Sequence, residues 1–276
     1  MRILAGTVFA VFLTAGPAVA EDWSEYDYPD QGVAIQFPAK PQAMKSTYDS
    51  VYVKGLPSFV VSAEDVVAIP DGVPAQRAVL TANLETALNI LWDGGAAPGD
   101  RIVVIGGGIV GCLAATLAAH LPAAEVTLVD VDSTRAALAK RLDVAFADPK
   151  SAPRDADLVI HTSATAAGLS LAFECAGDEA TVVEASWHGD DACEVPLGGA
   201  FHSRRLKLVS SQVGNIACER RPRWTRRRRL ETAARLLLDE RLDALVGEEI
   251  PFAELPRHLP RLFARGAAGV GALVRY

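Results

Sequence analysis

The chain has little of what marks several common protein classes. Its 276 residues include four cysteines, Cys112, Cys175, Cys193 and Cys218, and no two form a CxxC pair. That spacing offers neither a zinc knuckle nor a disulfide framework. Cys112 and Cys175 lie in apolar helical stretches and read as buried free thiols. Aromatic residues are only 7% of the chain. Positive charge is not in excess either: 27 Lys and Arg stand against 34 Asp and Glu, a formal charge of −7. Such a chain lacks the broad positive field of a general nucleic-acid binder, so no nucleic-acid partner is expected. The five histidines, His120, His161, His188, His202 and His258, are scattered, and their spacing supports no metal cluster. The apolar run at residues 3–15 stops at Gly16-Pro17. It is shorter than the roughly 20 residues of a membrane helix.

What is present is aliphatic. Half of the residues are hydrophobic, and Ala, Val, Leu and Gly dominate, as in α/β proteins with buried parallel strands. The length suits one or two domains.

The chain is organised around residues 101–132, RIVVIGGGIVGCLAATLAAHLPAAEVTLVDVD. An apolar β-branched run (Ile102, Val103, Val104, Ile105) leads into Gly106-Gly107-Gly108-Ile109-Val110-Gly111. A small-residue helical stretch follows, then a second apolar run ending in Asp130. Strand, glycine turn, helix, strand and acid come in the order a dinucleotide site requires. Gly106 permits the tight turn, Gly108 leaves room for a pyrophosphate, and Gly111 lets the helix lie close on the sheet. The helix N-terminus, from Ile109 and Val110 onward, offers free N–H groups and partial positive charge to that pyrophosphate. Asp130, nineteen positions after Gly111, can accept both ribose hydroxyl protons. It would repel a 2′-phosphate, which favours NAD (NADH) over NADP. A structural βαβ turn without a ligand is the alternative reading.

In chain order, residues 1–20 read as a signal peptide. Arg2 supplies the charge, and Ala18-Val19-Ala20 forms a small-residue cleavage site before Glu21. Residues 21–57 are aromatic and polar, with a strand expected where Val33, Ile35 and Phe37 alternate with small or polar residues. The run DWSEYDYPDQGVAIQFPAKP resembles the opening of small secreted bacterial domains. A strand is expected at residues 58–61 and a helix at residues 75–92. After Asp130 the spacing predicts a helix at 133–142 with Ser133 as N-cap. Strands follow at 146–147, 156–161, 179–186 and 206–212, with a helix at 168–175. Thr162, Ser163, Ser186 and Val213 stand at the carboxyl ends of these strands, where cofactor ligands gather. His161 and His188 also follow strands and are read first as incidental loop residues, with acid–base work at a nicotinamide as the alternative. Arg220 to Arg229 (RRPRWTRRRR) is the one strong charge run. Two readings apply: an anion clamp with Trp224 stacking, or a solvated helix start pairing with Glu231, Asp239 and Glu240. The second is favoured. A helix covers 230–245, another 254–265, and a strand closes the chain at 269–276.

The runs FVVSAEDVVAIPDGVP, AVLTANLETALN, PGDRIVVIGGGIVG and VTLVDVDSTRAALAKRL resemble the medium-chain dehydrogenase/reductase superfamily, the zinc-type alcohol dehydrogenase lineage. So does RRPRWTRRRRLETAARLLLDERLDALVGEEIPFAELP. The resemblance spans residues 58–276. It implies an α/β fold: a Rossmann doubly wound parallel sheet with a truncated GroES-like catalytic-domain remnant. The implied layout is 58–92 as remnant and linking helix, 93–250 as NAD-binding domain, and 251–276 as a helix and strand returning to the remnant. It also implies hydride transfer between a small-molecule alcohol and its carbonyl. Arg135 is implied near the adenine, Thr86 facing the nicotinamide, and a homodimer through the sixth strand. Zinc is expected of the family, but CGTDxH and GHE motifs are absent, and Ala82 stands where the last zinc ligand would be. No metal site and no catalytic residue are therefore assigned. A non-catalytic dinucleotide-binding remnant, from a fusion or truncation, is the second hypothesis. The two ends of the chain imply different compartments: export for residues 1–20, cytoplasm for an NAD site.

Overall fold

The structure is a computed structural model. It describes residues 67–275 apart from Asp191 and residues 263–270, with four short backbone strands among residues 24–57. The chain forms two compact units, Met1–Val67 and Ala68–Tyr276. In the first, β1 (Ser24–Tyr28) pairs antiparallel with β2 (Val33–Phe37), Ser24 opposite Phe37. β3 (Thr47–Tyr48) and β4 (Leu56–Pro57) form a second antiparallel pair. The strand expected around Val33, Ile35 and Phe37 is β2. The expected strand at 58–61 and the signal-like residues 1–20 lie outside the described residues.

The second unit is built on a six-stranded parallel sheet. Its strands are β5 (Arg101–Ile105), β6 (Glu125–Val129), β7 (Ala145–Ala147), β8 (Ala156–His161), β9 (Ala176–Glu184) and β10 (Lys207–Ser210). They lie in the order β10-β9-β8-β5-β6-β7. The chain therefore starts in the middle, winds to one edge, and returns to wind to the other. The switch point lies between β5 and β8, where ligands of open α/β sheets bind.

Alternation along the strands sorts the core into two faces. Ile102, Val104, Leu128, Leu158 and Ile160 pack on one side with buried residues of α2 (Thr81–Gly94), α3 (Ile109–Ala119) and α7 (Arg226–Leu236). Val103, Ile105, Val129, Val159 and Val182 pack on the other with α5 (Ala166–Cys175). Burying each such aliphatic side chain contributes about 1.5–3 kcal/mol. Small residues set the spacing: a Cβ on Gly94 would stand 2.9 Å from a Leu158 methyl, so α2 ends hard against the sheet. Gly95 then closes α2 with φ 70°, its N–H bonded to the Leu91 and Trp92 carbonyls. Among the described residues, no helix is long and apolar enough to cross a membrane.

Several boundaries differ from the sequence expectation. The helix expected at 75–92 is broken into α1 (Ala75–Ala78) and α2. The Leu80 N–H turns back to the Arg77 carbonyl and the Thr81 hydroxyl to that of Ala78, which ends the first helix. Ser133 is not an N-cap: α4 (Arg135–Arg141) follows Thr134, and the Asp132 carboxylate accepts the Thr134 N–H and hydroxyl. β9 begins at Ala176, because α5 runs straight into it. The helix expected at 230–245 divides into α7 and a 3-10 turn (Glu240–Leu245), where the Asp239 side chain accepts the Arg241 N–H. Beyond the short α6 (Ala200–Ser203), α8 (Leu255–Leu262) and β12 (Leu273–Arg275) complete the unit. β12 pairs in parallel with β11 (Glu249–Pro251). The closing strand thus has its partner within the same unit.

Candidate functional site

β5 delivers the chain to the switch point, and three glycines carry it into α3. Gly106 has φ 111°, and its N–H bonds to the Val129 carbonyl at 2.9 Å. A Cβ there would stand 2.8 Å from the Ser163 nitrogen, so the turn lies directly against the end of β8. At Gly111 a Cβ would stand 1.9 Å from the Gly106 carbonyl oxygen and 2.6 Å from the Thr162 hydroxyl. Thr162 hydrogen-bonds to the carbonyls of Ile105 and Gly106, tying β8 to the turn. Gly108 is the opposite case: a Cβ would meet nothing within 4 Å. It is the N-cap of α3 and contributes no side-chain cap, so the first-turn N–H groups of Ile109, Val110 and Gly111 face that open space.

Asp130 follows the end of β6. Its Oδ2 accepts the Gly107 N–H at 2.5 Å and its Oδ1 the Asp132 N–H at 2.8 Å, so the carboxylate is held at the rim of the turn. Arg135 packs its Cβ and Cγ over Gly107, with Nε 3.5 Å from an Asp132 carboxylate oxygen. Cys112, in the first turn of α3, is buried under the Gly107 carbonyl, and burial pushes its thiol up to about 12. It is an inert thiol. The structure thus brings Gly106, Gly108, Ile109, Val110, Gly111, Asp130, Arg135 and Ser163 around one opening. Thr86 is on α2, its hydroxyl turned back to the Ala82 carbonyl. The contacts around the opening do not reach it.

The charge run is more structural than either sequence reading. Arg229 is 2% exposed. It donates to Glu85 at 2.9 Å, to Asn89 at 2.6 Å and to the carbonyls of Val213 and Asn215. Glu85, Asn89 and Asp93 recur every four residues on one face of α2, where Asp93 also accepts the Ser211 hydroxyl. Val213 therefore serves through its carbonyl to fix the loop after β10. Burial raises the Asp93 carboxyl despite the Ser211 hydrogen bond and the Arg229 and Arg221 charges. Trp224 is covered from within the protein, by Trp92 at 4.6 Å and the Arg228 guanidinium at 4.0 Å. Arg227 does pair with Glu231, but Asp239 pairs with Arg241 instead.

At the ends of β8 and β9 lies a group that sequence reasoning missed. His161, fully buried, places Nδ1 2.6 Å from Glu184 Oε2 and Nε2 2.7 Å from the Ser163 hydroxyl. His188 Nε2 is 3.5 Å from the same Glu184 oxygen. Burial alone would raise the Glu184 carboxyl. The His161 hydrogen bond and charge, with bonds from Ser186, outweigh it and hold the carboxyl below its ordinary value. His161 and His188 are thus not incidental loop residues, and the expectation of no metal-type cluster fails here. His161 and Glu184 face each other across the parallel ladder, a pairing only the strand register reveals.

No protein-family model matches the chain. Curated relatives do. D-guloside 3-dehydrogenase of Escherichia coli is 27% identical over 202 residues, covering 68% of this chain and 58% of the relative. Galactitol 1-phosphate 5-dehydrogenase of the same organism is 26% identical over 197 residues, covering 67% and 55%. The chain thus spans little more than half the length of these relatives. Among solved structures, galactitol-1-phosphate dehydrogenase from Escherichia coli superposes with TM-score 0.64 at 22% identity, covering 78% of this chain and 65% of that one. A thermostable alcohol dehydrogenase from Pyrobaculum aerophilum gives 0.63, also at 22%, covering 78% and 62%. Over the matched part, the chain is similar to zinc-type medium-chain dehydrogenases and shares their Rossmann fold.

Two groups follow from that family, and the residues fit them unequally. The open cradle at Gly108 fits a dinucleotide. The family's catalytic zinc is not matched at Ala82, the position the sequence resemblance gives to its last ligand, because a methyl group supplies no donor atom. Cys112 and Cys175 are buried free thiols, and Cys193 and Cys218 are free as well. Among the described residues, the His, Cys, Asp and Glu side chains that converge as a metal would require are His161, Glu184 and His188, on the Rossmann sheet itself.

Proposed function

We propose that the Ala68–Tyr276 unit binds NAD(H) and serves an oxidoreductase of the alcohol dehydrogenase-like, medium-chain type. The reaction is hydride transfer between a secondary alcohol of a polyol or sugar derivative and its carbonyl. The observation that carries the reading is the empty space in front of Gly108, at an uncapped helix N-terminus beside the switch point. The substrate class rests on the names of the curated relatives, which include D-xylulose reductase A of Aspergillus oryzae. When bound, the nicotinamide supplies the hydride donor or acceptor.

The chain's own residues do the rest. Main-chain N–H groups of Ile109, Val110 and Gly111 receive the diphosphate. Asp130 accepts the ribose hydroxyls and disfavours a 2′-phosphate. Arg135, its Cβ and Cγ over Gly107, borders the adenosine side. Ser163 presents a hydroxyl at the end of β8, held by His161 and Thr165. No step is assigned to a catalytic zinc, because the family's ligands do not match here.

A second reading is a module that binds NADH without turnover, and Ala82 at the ligand position favours it. Titrating NADH and following its fluorescence tests both. Saturable binding is expected, and its absence overturns both readings. Oxidation of polyols is then assayed with and without zinc. Binding without turnover selects the second reading, while zinc-dependent turnover that persists in His188→Ala overturns the argument from Ala82. Residues 1–20 are read as an export signal, for which sequencing the N-terminus of the expressed product should begin at Glu21.

A further inference from the structure

The cluster of His161, Glu184 and His188 has a geometry that ordinary core packing does not require. Their three donor atoms lie within 4.8 Å of one another, and they come from the ends of two adjacent strands and the loop beyond. Neighbouring polar atoms hold the group in place: the Ser186 hydroxyl accepts the Ala164 N–H at 3.0 Å and stands 3.3 Å from His161 Nδ1. Glu184 Oε1 accepts the Ser186 N–H at 2.7 Å, which leaves Oε2 to face the two imidazoles. His161 Nε2 meets the Ser163 hydroxyl, which meets Thr165 Oγ1 at 2.9 Å, which accepts the Gly168 N–H. In the tautomer with its proton on Nε2, His161 donates to Ser163 and heads that chain. The Nδ1 lone pair then points at Glu184 Oε2, where His188 Nε2 also points. Atoms placed this way are joined either by a proton on His161 Nδ1 or by a cation that all three ligate.

From this convergence we infer that the unit holds one divalent transition-metal ion of the zinc class, ligated by His161 Nδ1, Glu184 Oε2 and His188 Nε2. Two imidazoles and a carboxylate are a donor set for zinc, with the fourth position open to water. Tetrahedral zinc bonds of about 2.0–2.2 Å set donor atoms roughly 3.3–3.5 Å apart, so the 2.6 Å between His161 Nδ1 and Glu184 Oε2 would open and the 3.5 Å between Glu184 Oε2 and His188 Nε2 would hardly change. With the metal bound, a hydrogen bond donated by His161 Nε2 to Ser163 would be the outer contact that fixes the tautomer and orientation of a ligating histidine. Access comes from the His188 side, whose side chain is 20% exposed while that of His161 is fully buried. The site is on the Rossmann sheet and shares no residue with the family's zinc positions. It stands whether or not the dinucleotide reading holds.

The test uses the full chain freed of metal by chelation. Zinc is added, excess is removed by gel filtration, and bound metal is measured per chain. Cobalt, loaded in parallel, reports its ligands through its visible absorption. About one zinc per chain is expected, with a cobalt spectrum of low coordination number. His188→Ala, at the accessible ligand, and Glu184→Gln should each weaken binding at least about a hundredfold and abolish the cobalt bands. His202→Ala is the control and should change neither. Circular dichroism and NADH titration of each variant separate loss of the metal from loss of the fold or of the dinucleotide site. No retained zinc would overturn the assignment and leave the opposite proton order, with His161 Nδ1–H donating to Glu184. Retained zinc that both variants keep at full affinity would overturn it equally, by placing the metal elsewhere.

Discussion

The two glycines at either end of the turn should fail differently. Gly111 has the Gly106 carbonyl oxygen 1.9 Å from where a Cβ would go, and neither group is free to move. Gly111→Ala is expected to destabilise the unit by at least about 1–3 kcal/mol, read as a lowered melting temperature without any ligand. Gly108 has φ −75° and open space, so Gly108→Ala should fold as the parent does. Its NADH affinity should nevertheless fall by about tenfold or more, which corresponds to about 1.4 kcal/mol. Acidification acts at another residue, Asp243. The Arg77 guanidinium bonds both of its oxygens, at 2.7 and 2.8 Å, and holds the carboxyl below its ordinary value. A carboxyl depressed in the fold stabilises above its unfolded value, near about 3.9, and that stability is lost as pH falls through the lower folded value. A melting curve of Asp243→Asn should therefore lie below the parent at neutral pH and converge with it in strong acid. Parallel curves at all pH values would contradict this. Asp243 is half exposed, so the effect is modest.

Among elements, the helix α2 and the loop after β10 are joined through Arg229. Removing its guanidinium leaves Glu85, only 14% exposed, without its cation, and takes the donor from the Val213 carbonyl and one of two from the Asn89 amide oxygen. Arg229→Ala is expected to cost about 3–5 kcal/mol in denaturant unfolding, whereas Arg229→Met combined with Glu85→Leu should recover much of it. The same bridge shows where the sequence was readable. The strand order, glycine turn and Asp130 all follow from local patterns: alternation, glycine spacing, an acid after a strand. Arg229 sits in a run of arginines that looks solvated. Only the packing of α7 on α2 selects that one for burial. His161 and Glu184 are 23 residues apart, and only parallel pairing of β8 with β9 brings them together. The helix breaks at Leu80 and Asp239 likewise depend on side chains returning to the backbone, which hydrophobic periodicity does not register.

At the scale of the molecule, the sheet of the Ala68–Tyr276 unit carries both the proposed dinucleotide site and an open edge. A ligand that binds only the folded state stabilises it by about 2.7 kcal/mol at a hundred times its Kd. For a unit of this size that raises the melting temperature by about 5–10 °C. At the same NADH concentration the parent should show this shift and Gly108→Ala, tenfold weaker, about half of it, measured by differential scanning calorimetry. The edge is β10, which pairs with β9 on one side alone within the sheet and leaves Leu208 38% exposed. A parallel-sheet edge with unpaired N–H and C=O groups and an exposed leucine is a template for another strand. A second copy, related by a two-fold axis, presents the same edge in the antiparallel sense and closes both at once. Sedimentation of the full chain should therefore give a dimer. Leu208→Lys adds a charge at an exposed position, so it should change folding stability by no more than about 0.5 kcal/mol. It should convert the dimer to a monomer, because two such charges would meet across the axis. A parent that sediments as a monomer, or a variant that stays dimeric, would move the interface away from β10.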